Sequence, residues 1–441
     1  MKMLREIAFE IVRRLQQAGF AAYWVGGCVR DRCLGKEPHD YDISTSAKPA
    51  EVETLFAHTI PVGRQFGVVI VVEDGEQFQV ATFRAEADYA DGRHPGRVAF
   101  ADAMADASRR DFTVNGLFFD PVRDELFDWV GGEADLRARV LRTIGNPEER
   151  FAEDHLRLLR AVRFAAQLDF QFEPATFAAM RASAEKILRV SAERIRDELL
   201  KLFRPPHAAR GLDLLRDSGL MTHVFPELAA TADCEQSPDY HPEGSVFNHL
   251  RLMLSLLPPA AASTLPWSVL MHDIAKPLTA ERDLVTGSIH FYGHEKIGAD
   301  MAAAILHRLK FPNKQIEEVV TCVQYHMQFK DVPQMRKATL RRLMLRPTFP
   351  VELELHRLDC LGSHGRLDHF DFLTEQAAQL AQQPRLRPPL IKGADLLALG
   401  MQPGPPIGAL LAEVREKQLQ DELTSREAAL AWVKEKLTAR T

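Results

Sequence analysis

The 441-residue sequence has no apolar run approaching the ~18 residues that a membrane-spanning helix requires. Its opening stretch, MKMLREIAFEIVRRLQQAGF, repeats apolar residues at helical spacing but carries charges throughout, which excludes a signal peptide. Cysteine is scarce: five residues, none in CxxC spacing. A large chain of this kind is expected to hold free thiols in a reducing cytoplasm. Cys28 and Cys33 read as small core fillers. Neither charge sign dominates, the formal net charge being −6. That balance argues against indiscriminate nucleic-acid binding and leaves a local basic groove open. No internal repeat occurs. Apolar content of 46% and charged content of 26% are ordinary for a globular protein, and the length predicts several domains.

What is present is concentrated first in Tyr23 to Ser44, YWVGGCVRDRCLGKEPHDYDIS. An apolar run ends in Gly26-Gly27 and passes into Cys28-Val29-Arg30-Asp31. Ten residues on, Asp40 and Asp42 stand at i and i+2, which on a strand places both carboxylates on one face. Adjacent carboxylates repel, and a divalent cation keeps both ionised. Paired glycines before a helix let backbone N–H groups approach a phosphate. An isolated DxD is read equally well as solvated alternation. The upstream glycine loop tips the reading toward phosphoryl or nucleotidyl transfer.

In chain order, residues 1–20 form an amphipathic helix and Lys48-Pro49 opens another. Val62 to Val72 and Phe78 to Arg84 are β-branched and aromatic runs joined by Glu73-Asp74-Gly75-Glu76, a hairpin signature. A polar loop is expected from Glu86 to Arg97. Leu126 to Trp129, Gly131-Gly132 and Val140 to Ile144 should complete a small mixed sheet. From Pro147 the period shifts from 2 to 3.6, marking a boundary. The fold class is therefore multidomain α+β, an α/β head followed by helices. The expected divisions are 1–145, 146–235, 236–380 and 381–441, with linkers at Asp233 to Gly244 and Gln383 to Pro389. Gly400 to Gly408 should open a long helix.

Two further stretches carry chemistry. Arg109-Arg110-Asp111 with Asn115 is expected on one helix, pairing Asp111 and Asn115 at i,i+4. Arginine forks suit triphosphate oxygens, and Asp or Asn suits a ribose hydroxyl; a capping and salt-bridge patch is the alternative. Glu153-Asp154-His155-Leu156-Arg157 is read as a helix offering a carboxylate and a guanidinium to a base edge, with Arg160 and Arg163 continuing the stripe. An exposed ion-paired helix is the plain alternative there.

The motifs GGCVRD, DYD, TFRAEADYADGRHP, RRDFTVNGL and RFAEDHLRLLRAVRFAAQLDF, in that order, resemble those of the class II tRNA nucleotidyltransferase and bacterial poly(A) polymerase family. The resemblance implies a polymerase-β-like catalytic head with a helical neck, body and tail. It implies a cytoplasmic enzyme acting on the tRNA 3′ end with ATP and CTP, adding or repairing CCA. The alternatives are A-only addition or poly(A) synthesis. Asp40 and Asp42 would carry Mg²⁺, and Gly26, Gly27 and Arg30 would take the triphosphate. Arg110, Asp111, Asn115, Arg160 and Arg163 would contact nucleotide, while Glu153, Asp154 and Arg157 would choose C or A. Gln79 stands where some members have a third acid. The segment around Gly63 to Val68 looks more like the tRNA-directed members, and the tail KGADLLALGMQPGPPIGALLAEV resembles bacterial ones.

The second constellation is His249, His272-Asp273, His294, His326 and Asp359, an order that resembles the HD-superfamily metal-dependent phosphohydrolases. Imidazoles with carboxylates suit Mn²⁺, Ni²⁺, Fe²⁺ or Zn²⁺ and could activate water against a phosphate ester. A retained helical fold with ordinary histidines is the alternative. From another class, the protein could be chiefly a phosphohydrolase whose head only binds RNA. Lys330, Arg336, Lys337, Arg341, Arg342 and Arg346 form a basic cluster read either as an RNA-phosphate contact or as a solvated helix face.

Overall fold

The computed structural model describes residues 3–61, 67–89, 95–238, 241–382 and 389–438. The Gly63 to Phe66 part of the tRNA-directed cue and most of the Gln383 to Pro389 linker lie outside them. The described chain divides into two compact units, Met1–Ala229 and Ala230–Thr441. No described helix is long and apolar enough to cross a membrane.

The first unit starts with a helix, Leu4–Gln17, whose Ile7, Ala8, Ile11, Val12 and Leu15 recur at helical spacing and are buried. It covers one face of a seven-stranded mixed sheet built from β1 (Ala22–Val25), β2 (Asp42–Thr45), β3 (Thr59–Ile60), β4 (Val68–Glu73), β5 (Glu76–Thr82), β8 (Phe118–Asp120) and β9 (Glu125–Phe127), with β6 (Arg84–Tyr89) and β7 (Pro95–Phe100) pairing apart from it. The order is β3-β4-β5-β2-β1-β8-β9. The expected β4–β5 hairpin forms around Asp74 and Gly75, at φ 52° and 85°. A two-residue turn with both centres left-handed matches strand twist, and Asp-Gly tolerates it.

Four sequence expectations change. The stretch from Glu86 to Arg97 is not a plain loop: β6 and β7 pair antiparallel from Arg84↔Phe100 to Tyr89↔Pro95. Val140–Leu141 does not join the head sheet but pairs in parallel with Gln171–Phe172. Arg109 to Asn115 is not one helix, because Ala103–Ser108 ends at Arg109 and only Thr113–Asn115 resumes as a 3₁₀ turn. Gly132 lets the following segment press on that turn, since a Cβ there would lie 2.2 Å from the Thr113 carbonyl oxygen. Lastly, Glu153 to Arg163 is broken: Pro147–Glu153 stops at Asp154, whose φ of −144° is extended, and Arg157–Leu168 starts anew.

The second unit is helical. Val246–Ser255, Leu265–Met271, His294–Arg308, Asn313–Tyr325 and Phe349–Gly362 surround the histidines. Three tail helices, Gly393–Ala398, Pro405–Leu419 and Arg426–Thr438, close on Leu396, Leu410, Val414, Ala429 and Val433, so the helix expected after Gly400 to Gly408 is present. The basic cluster is not a bare solvated face. Lys337 and Arg341 pair with Asp421, Arg342 with Glu416 and Arg346 with Glu352. Three of these arginines and lysines therefore fasten Lys337–Met344 to the tail.

Candidate active sites

In the head, β1 ends at Val25 and the chain turns at Gly26, φ 71° and ψ −125°, into the helix Gly27–Cys33. The turn needs glycine twice over: its φ is left-handed, and a Cβ would stand 3.0 Å from Arg110 Nη1. Val25 pairs with Asp42, so the turn sits at the same end of the sheet as the first residue of β2. Asp40 precedes β2, so the expectation that both carboxylates share a strand face is corrected: only Asp42 is in the strand. Tyr41 between them is buried edge-on to Trp24, ring centroids 4.8 Å apart, which anchors the loop carrying both acids. Desolvation, and then the charge of Asp40, push the Asp42 carboxyl above its ordinary value. The parallel register Ile43↔Val80 puts Gln79 in the row of Asp42, so an amide flanks the pair where a third acid would be.

Behind the turn the arginines form one connected system. Arg110 Nη2 donates to Ser44 Oγ at 3.2 Å and to Asp106 Oδ2 at 3.1 Å, with its guanidinium over the Phe118 ring at 5.0 Å. Asp106, fully buried, also accepts from Arg109 Nε at 2.9 Å and the Arg84 amide at 3.3 Å. Arg30 Nη1 donates to Asn115 Oδ1 at 2.8 Å, and Asn115 Nδ2 donates to Asp111 Oδ1 at 3.1 Å. The other Asp111 oxygen takes Arg160 Nε at 2.8 Å and Nη2 at 2.5 Å. Burial pushes the Asp111 carboxyl up, but the Arg160 charge and hydrogen bonds outweigh it and hold it at about 2. Phe164 carries three guanidiniums around its ring, Arg163 at 3.9 Å, Arg160 at 5.3 Å and Arg30 at 5.4 Å. Arg163 itself donates to Glu198 Oε2 at 2.6 Å.

Glu153, Asp154 and Arg157 come together through the helix break rather than along one helix. Arg157 Nη1 donates to Glu153 Oε2 at 2.5 Å and to the Arg150 carbonyl at 3.0 Å. Arg157 Nη2 donates to the Arg109 carbonyl at 3.3 Å, which ties this trio to the arginine system. Asp154 is held from another helix by Arg194, 2.8 Å away. Arg157 and Arg163 are buried, so the alternative of an exposed ion-paired helix does not describe this segment.

In the second unit the six expected ligands meet in one cluster, five of them buried and Asp359 partly exposed. His272, His294 and His326 each place Nδ1 within 2.7–2.8 Å of a backbone carbonyl, of Val269, Phe291 and Val323 respectively. A carbonyl only accepts, so Nδ1 holds a proton and, in the neutral ring that binds a metal, Nε2 is left as a lone pair. Those lone pairs converge: His294 Nε2 is 3.1 Å from His326 Nε2 and 3.3 Å from Asp273 Oδ1, and His272 Nε2 is 3.2 Å from Asp273 Oδ2. With both rings neutral the two nitrogens would repel at that distance, and a shared cation with bonds of about 2.1 Å fits it. His249 Nε2 faces Asp359 Oδ1 at 3.1 Å. The residues fit a metal, with Asp273 common to the His249–His272 group and the His294–His326 group. Burial, then the neighbouring His272, depress His326 to about 3, which keeps it neutral.

Sequence reading missed several partners. Asp106 precedes Arg109 and Arg110 by three and four residues, a periodicity that could have revealed it. Glu243, which accepts from His249 Nδ1 at 2.7 Å and His241 Nδ1 at 2.9 Å, lies in a segment read only as linker. Glu198, Arg194 and Gln236 come from sequence-distant positions and gave no local signal, whereas Lys276 follows Asp273 by three residues and could have been found from that spacing.

A family profile described as "Poly A polymerase head domain" matches residues 22–142, and another, "tRNA nucleotidyltransferase domain 2", matches 294–433. The polymerase A RNA-binding profile matches 169–231. A Levilactobacillus brevis CCA-adding enzyme is 33% identical over 96% of this chain and 96% of its own. A Staphylococcus aureus CCA-adding enzyme is 45% identical over 49% of this chain and 54% of its own. The crystal structure of a Bacillus stearothermophilus CCA-adding enzyme in complex with CTP superposes at a TM-score of 0.78, with 29% identity over 100% of this chain and 99% of that one. Sheet, arginine system and near-full-length identity agree: this chain belongs to the CCA-adding enzyme family.

Proposed function

We propose that the chain completes or repairs the 3′-terminal CCA of tRNA from CTP and ATP in the cytoplasm. The observation that carries this reading is the unbroken system from Ser44, beside Asp42, through Arg110, Arg30 and Asp111 to Arg160 and Arg157. A nucleotide on this surface would meet cations at its triphosphate and a carboxylate–guanidinium pair at its base. Enzymes of this family use divalent cations. Asp40 and Asp42 would hold Mg²⁺, which when bound neutralises charge on the triphosphate and lowers the pKa of the attacking 3′-hydroxyl.

The residues then act as follows. Gly26 and Gly27 open the backbone to the phosphates, and Arg30 and Arg110 take non-bridging oxygens with forks already aimed by Asn115 and Asp106. Asp111 and Asn115 offer an acceptor and an amide to the ribose. Arg160 and Arg163, spread on Phe164, keep this edge cationic and flat. Glu153 accepts from an exocyclic amino group while Arg157 donates to ring acceptors, with Asp154 set by Arg194. Both C and A present an amino donor next to an acceptor, so one pair can serve both. The domains are assigned as catalytic head 1–145, neck and body 146–235, metal-cluster domain 236–380 and tail 381–441.

A second activity, hydrolysis of a phosphate ester at the histidine cluster, is favoured by the three Nδ1-to-carbonyl bonds that leave Nε2 lone pairs converging. His249, His272, Asp273, His294, His326 and Asp359 would hold Mn²⁺, Ni²⁺, Fe²⁺ or Zn²⁺.

The test uses tRNA transcripts ending before CCA, after C and after CC, each offered CTP, ATP or both with Mg²⁺. Growth of the shortest to CCA and no further is expected. Extension of the CC-ended tRNA alone by one A would make this an A-adding enzyme, and long A ladders a poly(A) polymerase.

A further inference from the structure

Beside the histidine cluster lies a cavity of about 490 Å³ lined by Gln236, Ser237, Gly244, Ser245, Arg282 and Ser288, among others. That volume falls within the roughly 300–1,000 Å³ of small-ligand sites. Two threads run from its wall to the cluster. Gln236 Oε1 accepts from Lys276 Nζ at 2.7 Å, and Lys276 Nζ in turn reaches Asp273 Oδ2 at 2.7 Å. Gly244 follows Glu243, whose carboxylate holds His249 at 2.7 Å.

Gln236 is the unusual member. It is 4% exposed, and its Nε2 is buried without a hydrogen-bond partner. The amide cannot be turned to relieve this, because a lysine ammonium has no acceptor and must face the oxygen. A buried donor left unpaired is destabilising, and such groups are uncommon in folded chains. The cavity wall is also rich in donors: three serine hydroxyls and Arg282, whose carboxylate neighbour Glu235 it already satisfies at 3.3 Å. An occupant rich in oxygen acceptors suits such a wall.

We propose that this cavity is the substrate pocket of the histidine cluster, and that Gln236 Nε2 donates to an oxygen of a bound phosphate ester. The inference rests on the hydrolytic reading of the cluster. The ester's phosphoryl group lies toward Asp273 and its polar carrier occupies the serine-lined space. Lys276 fixes the orientation of Gln236 while balancing the charge of Asp273. Gln236 is thus a specificity-determining residue, and it is not a metal ligand.

The experiment compares wild type with Gln236→Leu, which removes the donor, and Gln236→Glu, which keeps an acceptor for Lys276 but turns the donor into an anion. The full-length chain, loaded with Mn²⁺ or Ni²⁺, is assayed on 4-nitrophenyl phosphate for KM and kcat separately. Bound metal is counted by mass spectrometry, and binding of 4-nitrophenyl phosphate to the metal-free chain is followed by calorimetry. Losing one such hydrogen bond should raise KM and weaken metal-free binding about tenfold in Gln236→Leu. Gln236→Glu should be weakened further, with metal content and CCA addition unchanged in both. Unchanged KM and unchanged metal-free binding in a variant that retains its metal would overturn the assignment. Loss of metal in both variants would show that Gln236 merely props Lys276 and Asp273, which overturns it as well. A wild-type chain that binds metal but hydrolyses no ester would instead remove the hydrolytic reading and this pocket with it.

Discussion

Around Asp111 the chain gathers arginines, and around Asp273 it gathers imidazoles; the two collections differ in what completes them. The charges around Asp111 already have partners. Asp106 pairs with both Arg109 and Arg110, Asp111 with Arg160, and Glu198 with Arg163. What remains open there is the Asp40–Asp42 pair at the surface, where desolvation and mutual repulsion raise the Asp42 pKa. The cluster is the reverse: its four histidines and Asp273 are buried, and its imidazole Nε2 atoms point inward at one another. A substrate can bring cations to the first site, whereas the second needs a metal ion of its own. The head is built to exchange its charged ligands and the cluster to retain one.

The largest effect should come from the open pair. Asp42→Ala is expected to lower single-turnover incorporation of CMP or AMP by about 10³-fold or more, since a metal clamp contributes several kcal/mol to phosphoryl-type transition states. Ester hydrolysis at the cluster should be untouched. If hydrolysis fell in parallel, the two sites would not be the separate devices described.

Next comes the paired core. Arg160→Ala strands the buried Asp111 carboxylate, and loss of one partner of a buried pair costs about 3–5 kcal/mol, read by urea unfolding. Asp111→Asn, which removes the charge instead, should cost less. The pH dependence has a definite sign. Asp111 is depressed to about 2 in the folded chain, so its stabilisation is complete above the ordinary carboxylate value near 4 and drains away as pH falls through 2. Between those limits wild type should lose stability relative to Asp111→Asn. Parallel profiles would remove the Arg160–Asp111 assignment.

Third is the second layer of the cluster. His272, His294 and His326 are oriented by backbone carbonyls, but His249 is oriented by the Glu243 carboxylate. Glu243→Gln keeps an oxygen acceptor and loses the charge. Metal affinity measured by equilibrium dialysis should fall about tenfold, the lower end for carboxylates behind a ligating histidine. No change would mean that His249 is held by packing alone.

The same contrast explains what was readable in the sequence. The β4–β5 hairpin and the glycine turn were legible because each rests on a short pattern: Asp-Gly between β-branched runs, and a doubled glycine after an apolar strand. The six cluster residues, spread from His249 to Asp359, were legible only through the order that resembles the HD superfamily. The helix expected through Arg109 to Asn115 failed because its i,i+4 contact is real, Asn115 to Asp111 at 3.1 Å, yet a 3₁₀ turn makes it equally well. Glu153 to Arg163 failed for a related reason: an extended Asp154 interrupts the periodicity without a proline or glycine to announce it. Glu198 and Gln236 were illegible because their partners lie tens of residues away, and burial decides their role. Gln79 is intermediate. Its residue type was visible, but only the β2–β5 register sets it beside Asp42.

The smallest effect divides the basic cluster. Arg341 and Arg342 are neighbours in sequence and both reach the tail, but in different surroundings. The Arg341 side chain is 10% exposed and Nη1 donates to the Leu419 carbonyl at 2.9 Å and to Asp421 at 2.8 Å. Leu419 ends the helix Pro405–Leu419, so Arg341 satisfies a terminal carbonyl that has no partner within its helix. Arg342 pairs with Glu416 at the surface, 54% exposed, where such pairs contribute about 0–1 kcal/mol. Arg341→Ala should therefore speed amide hydrogen exchange across Pro405–Leu419 by about tenfold, corresponding to roughly 1.4 kcal/mol of local opening, and Arg342→Ala should leave it within about twofold. If both residues served RNA instead, tRNA affinity would fall equally in the two variants and its salt dependence would flatten by about one phosphate each. Equal exchange with equal loss of affinity would restore the RNA reading of this cluster. Unequal exchange with unchanged affinity makes Arg341 the tail's anchor.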